Sequence, residues 1–164
     1  MALDTGLVGL LAALAAAGGL GVVHRARQGR PRTVARRGEN AVTGVPERVR
    51  ELAARLLAGP EEDGRPATVA LVQLSSTFCA PCRHTRVVLA RLARSTPGLR
   101  HTELDLATAP EVGERLRISR TPTTLVLRAD GSEAFRFTGV PKQEALAEAL
   151  APLLAASPPP AGPA

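Results

Sequence analysis

Residues 71–83 read LVQLSSTFCAPCR, and the organisation of the chain can be worked out from this stretch. Its first half belongs to a longer apolar run, TVALVQLSS at 68–76. Val69, Ala70, Leu71, Val72 and Leu74 are nearly continuous, the pattern of a strand buried on both faces. Its second half opens a helix over 80–94, with Val87, Val88, Leu89 and Leu92 supplying a core stripe. Cys79 and Cys82 therefore stand three residues apart where a strand turns into a helix. A helix start leaves backbone N–H groups unpaired and carries partial positive charge. A thiolate placed there is stabilised. Cys79, at the open end, is the expected nucleophile. Cys82, one turn in, is placed to attack a mixed disulfide formed on Cys79. Pro81 sits in the first turn, where its missing N–H costs nothing.

Two other uses of the cysteines stay open. A structural disulfide would close so short a loop that it removes little chain entropy. A zinc site would need further ligands, for which His84 and His101 are the candidates. The chain has 2 Cys and 3 His, without a second Cys-x-x-Cys or a closely spaced pair of His. A redox dithiol needs neither metal nor organic cofactor. Arg83 and His84, which follow Cys82, read as solvated residues with little influence through water.

Upstream of the motif, Val45, Val49, Leu52 and Leu56 mark one face of a helix over 45–58. Pro46 suits its first turn and Gly59-Pro60 ends it. Downstream, HTELDL (101–106) alternates as a short strand, and 110–116 reads as a short helix. Thr123 to Leu127 is apolar and β-branched, hence a strand. Asp130-Gly131 signals a hairpin into a returning strand over 133–137. A helix over 141–154 closes the domain, with Leu146, Leu150 and Leu154 in register and Pro152 expected to disturb its last turn. Helices between strands imply parallel pairing, and the hairpin implies an antiparallel ending. The result is an α/β fold in three layers around a mixed central sheet.

Here the chain resembles the thioredoxin family. The resemblance covers residues 45–154 and rests on LVQLSSTFCAPCR (71–83), RTPTTLVL (120–127) and DG…FTG (130–139). It implies a thioredoxin-like domain over 45–155. It also implies that Thr121-Pro122 is the cis-proline loop facing the two thiols. The Thr121 backbone would then pair with an extended substrate segment like an added strand. Gly139 matches the family glycine after the hairpin, so Phe78, Ala80, Pro81, Thr121, Pro122 and Gly139 are the implied substrate-binding residues. The chain also departs from the pattern. Thioredoxins proper have Trp-Cys-Gly-Pro-Cys, whereas Phe78 and Ala80 stand here. They also carry a buried Asp six residues before the nucleophile, and the matching position is Gln73, which takes up no proton near pH 7. A family Lys position falls on Glu103, so Glu103 is a candidate to supply the missing carboxylate in a proton relay with Gln73.

The rest of the chain bears on location. Residues 5–23, TGLVGLLAALAAAGGLGVV, carry no charge. A helix of that length reaches about 28 Å, close to the hydrocarbon thickness of a bilayer. No basic residue precedes it and the run continues past Ala15-Ala16-Ala17, which favours an uncleaved anchor over a signal peptide. Residues 1–23 are thus read as a transmembrane anchor and 24–44 as an Arg-rich linker. Residues 156–164 read as a disordered Pro-rich tail. Of 21 Lys and Arg, six Arg fall between 24 and 37; the remaining 15 balance the 15 Asp and Glu. Positive charge after a single span places the C-terminal domain in the cytoplasm. Aromatic residues make up only 2%, which removes the stacking platforms of single-stranded nucleic-acid binders.

These readings converge on a membrane-tethered thiol–disulfide oxidoreductase that reduces protein disulfides on the cytoplasmic side. Its expected partners are protein disulfide substrates, a reductase or thiol donor, and the membrane, with no nucleic acid. The alternatives are an extracytoplasmic exchange protein of opposite topology, or a redox-inert binding module of the same fold.

Overall fold

The computed structural model describes residues 10–19, 32–33, 44–59 and 66–156. Its elements, in chain order, are a helix over 10–19 (α1), β1 (Arg32–Thr33), α2 (Glu47–Leu57), β2 (Val69–Ser75), α3 (Ala80–Ser95), β3 (Leu99–Asp105), α4 (Pro110–Arg115), β4 (Thr123–Arg128), β5 (Glu133–Thr138) and α5 (Gln143–Ala155). The sheet order is β1-β5-β4-β2-β3. β2 and β3 run parallel, while β4 is antiparallel to both β2 and β5. Only the first helix-linked strand pair is therefore parallel. The α4 connection returns the chain to the far side of β2, so β3 and β4 are not neighbours.

Alternation along β2 feeds two cores. Ala70, Val72 and Leu74 meet Val49 and Ala53 of α2, Val112 of α4, and Leu125 and Leu127 of β4. Val69 and Leu71 meet Leu89 of α3, Leu99, Val126, Phe135, Phe137, and Leu146 and Leu150 of α5. A strand covered on both faces has no solvent side to keep polar, which accounts for the continuous apolar run. The hairpin turns on Gly131, whose φ of 77° suits a residue without Cβ. The Asp130 carboxylate accepts the Ser132 N–H there at 2.8 Å.

Two boundaries differ from expectation. α5 continues to Ala155 with Pro152 inside it; the buried Leu146 and Leu150 anchor the helix through the turn that lacks an N–H. Part of the expected linker is structured, since Arg32 and Thr33 pair with Arg136 and Phe135 on the edge of β5. Of the apolar stretch 5–23, only the helix over 10–19 lies within the described residues. Among the described residues no helix is long and apolar enough to cross a membrane. The tail at 157–164 also lies outside them.

Candidate active site

The carboxyl end of β2 delivers Ser75 into the loop that carries the cysteines. Cys79 is the N-cap of α3, and its sulfur accepts the Cys82 N–H at 3.2 Å. Ala80 and Pro81 form the exposed first turn, with Pro81 where no intrahelical N–H is needed. Cys79 and Cys82 are disulfide-bonded, with Cα atoms 5.2 Å apart. Cys79 is not as open as its position at the helix end suggests. It is 9% exposed and Cys82 2%, because each sulfur turns toward the other. Phe78, directly before them, is 97% exposed.

The second wall comes from the other side of the sheet crossing. Thr121-Pro122 is a cis peptide, and Pro122 is buried at the start of β4. The Thr121 hydroxyl lies 3.0 Å from that of Ser76, which ties this loop to the one leading into Cys79. Gly139 donates its N–H to the Pro122 carbonyl at 2.7 Å. Gly139 has φ of 85°, a conformation other residues adopt only under strain. The hairpin's end and the cis-proline loop are thereby joined, with Val140 exposed next to them.

Beneath the helix start lies a polar row. Gln73 pairs in register with Glu103 on one side and Thr124 on the other. Its Nε2 donates to the Cys82 carbonyl at 3.0 Å and to Glu103 at 3.2 Å. Glu103 also meets Arg86 of α3 at 3.1 Å. The two candidate relay positions are thus in contact with each other, and Gln73 touches the Cys82 backbone. Two members of this region were not singled out from sequence. Arg86 is one of many Arg, and Thr85 reads as an ordinary helix residue until packing buries it completely. The only usable signal for either was its spacing of three or four residues from Cys82, on the same helical face. His101, two residues before Glu103 on the same side of β3, has its pKa lowered to about 4 by burial and by the Arg86 charge. His84 and Arg83 are exposed. Among the described residues no group of three or more His, Cys, Asp or Glu is placed to hold a metal ion.

A strand-end cysteine pair capping a helix, with a cis-proline loop tied to it, is a specific arrangement, and comparison with known proteins gives the same answer. The family model for thioredoxin matches residues 63–152. A thioredoxin H-type of Oryza sativa subsp. indica is 30% identical over 76 residues, 46% of this chain and 62% of that protein. The chain therefore spans less than two thirds of that relative's length. A mutant thioredoxin of Halobacterium salinarum superposes with a TM-score of 0.50 at 20% identity, covering 56% of this chain and 80% of that one. A chain solved in work on the thiol resolving mechanism of yeast mitochondrial 1-Cys peroxiredoxin gives 0.50 at 18% identity, covering 66% and 90%. At such identities the structural likeness speaks for the fold alone, but the family model spans more than half of the chain. With its bonded Cys79–Cys82 pair in the place the fold reserves for redox chemistry, this chain belongs to the thioredoxin family.

Proposed function

We propose that this protein is a membrane-tethered thiol–disulfide oxidoreductase that reduces protein disulfides on the cytoplasmic side. The observation that carries the chemistry is the Cys79–Cys82 disulfide at the start of α3, with the Cys82 N–H directed at the Cys79 sulfur. In the dithiol form that N–H and the helix terminus favour charge on Cys79. The Cys79 thiolate attacks one sulfur of a substrate disulfide and expels the other as a thiolate. Cys82 loses its proton, attacks Cys79, and releases the second substrate sulfur. Two electrons have then passed to the substrate, and Cys79–Cys82 is oxidised, ready for a thiol donor to reduce it.

The substrate backbone lies along Thr121-Pro122 as an added strand. Phe78 and Val140, exposed apolar side chains next to Cys79 and Gly139, offer contact area to a protein substrate. A reducing compartment matches this direction of electron flow. Tethering is supported by the uncharged stretch 5–23 and the six Arg that follow it. It is also consistent with Leu10, Leu11 and Leu14 remaining more than half exposed in α1.

Two measurements test the reading. Purified protein with dithiothreitol should reduce a protein disulfide catalytically, and failure to do so would remove the enzymatic role. In cells, a membrane-impermeant maleimide should label Cys79 only after permeabilisation; labelling of intact cells would reverse the topology.

A further inference from the structure

Gln73 is fully buried, and its amide is used unevenly. Nε2 donates twice, to the Cys82 carbonyl and to Glu103. A carbonyl and an ionised carboxylate both only accept, so turning the amide round would set oxygen against oxygen on both sides. Glu103 is itself held by Arg86. The amide therefore has one orientation, and in it Oε1 has no hydrogen-bond partner. The hydroxyls of Thr124, beside Gln73 in register, and of Thr85, three residues beyond Cys82, are two buried donors of this region. Both are buried and themselves unpaired, so neither serves it. A buried acceptor left unpaired destabilises the state in which it occurs.

We propose that Gln73 Oε1 gains its partner when the disulfide opens, by accepting a hydrogen bond from the Cys82 thiol, and that Glu103 is the positioning residue that aims it. In the disulfide the Cys82 sulfur has no hydrogen to donate. After reduction it has one, and Gln73 is already bonded to the backbone of that same residue. The amide therefore stabilises the dithiol relative to the disulfide. It also distinguishes the two sulfurs. The Cys82 N–H favours charge on Cys79, while an acceptor at Cys82 favours keeping its proton. The inference deepens the proposed oxidoreductase function, resting on it for the relevance of the dithiol state.

The test is a redox equilibrium of the full-length protein in detergent against dithiothreitol. The Cys79–Cys82 bond breaks, dithiothreitol closes to its cyclic disulfide, and two electrons pass to the pair. Its two protons go to Cys82 and to Cys79, or to solvent where Cys79 is ionised. Gln73→Met should shift this equilibrium about fivefold toward the protein disulfide, the worth of one hydrogen bond. Glu103→Gln should shift it the same way by less, because the amide loses its fixed aim. A second readout is the infrared S–H stretch of reduced Cys79→Ser protein, in which Cys82 is the sole thiol. That band should lie at the low frequency of a bonded thiol and move up when Gln73→Met is added. Should Gln73→Met fail to fold, Glu103→Gln carries both measurements, since Glu103 reaches the surface. An equilibrium and an S–H band unmoved by the substitution overturn the proposal, a water on Oε1 being the explanation left. Turnover of a protein disulfide by the parent protein bears separately on the proposed function.

Discussion

The two faces of β2 are built from different material. The face toward α2 and α4 presents Ala70, Val72 and Leu74, which pack into an apolar cluster with residues of α2, α4 and β4. The face toward α3 begins the same way with Val69 and Leu71. At the level of the cysteines it changes to the row Glu103–Gln73–Thr124. Four buried polar atoms in this region, on Gln73, Thr85, His101 and Thr124, have no partner. An unpaired polar atom destabilises the fold and is tolerated where the chemistry uses it. One face therefore supplies stability, and the end of the other sacrifices some of it under the reactive pair.

The largest effect expected is at the sulfurs themselves. Cys79→Ser should abolish turnover of protein disulfides, and Cys82→Ser should accumulate a mixed disulfide visible on non-reducing gels. Both should leave the fold intact, because either serine fits the space of the thiol. If the Cys82→Ser protein released substrate as fast as the parent, Cys82 would not be the resolving residue.

Next in size is a truncation on the apolar face. Leu74→Ala should lower unfolding stability by about 2–5 kcal/mol, the cost of lost transfer energy plus a cavity. Its redox equilibrium with dithiothreitol should match the parent's. A shift there would mean that the two faces are coupled and the contrast between them is too sharp.

The polar side has its own pH signature in His101. Its pKa is held at about 4, against 6.5 ordinarily, first by burial and second by Arg86. Protonation is therefore easier in the unfolded chain. The stability this contributes is complete above 6.5, declines as pH falls, and is lost by about 4. Denaturant titrations across that window should show the decline in the parent and a flatter profile in His101→Leu. Identical profiles would assign the acid sensitivity to other groups.

The smallest change in stability is expected from Phe78→Ala, within about 0.5 kcal/mol, because the ring is 97% exposed. Exchange with a small disulfide should be unaffected, whereas KM for a protein disulfide should rise several-fold. Equal KM values would take Phe78 out of substrate contact.

Much of this architecture was legible in local sequence. The run at 68–76 could be a doubly buried strand because it offers no polar face, and Cys79-Ala80-Pro81-Cys82 marks a helix start by the chemistry of its first turn. Asp130-Gly131 located the hairpin because few residues accept positive φ. Strand order was harder. Parallel pairing across α4 was a reasonable expectation, yet β4 runs antiparallel to β2, since the order of strands is decided by which faces cover each other. Pro152 was expected to disturb its helix, and tertiary burial of Leu146 and Leu150 overrode that local cost. Arg86 and Thr85 carried no signal beyond spacing, because Arg86 pairs with Glu103 on a strand distant in sequence and Thr85 is buried only by packing.

What the residues determined by themselves is the reactive pair, the helix it caps and the apolar strand that leads to it, since all three depend on neighbours within a few positions. What the tertiary structure decided is the surroundings of that pair. The cis-proline loop is tied to Ser76, Gly139 is bonded to Pro122, and Gln73 is locked between Cys82 and Glu103. Each of these joins residues from different elements, and only packing the sheet between its two helical layers brings their atoms within hydrogen-bonding distance.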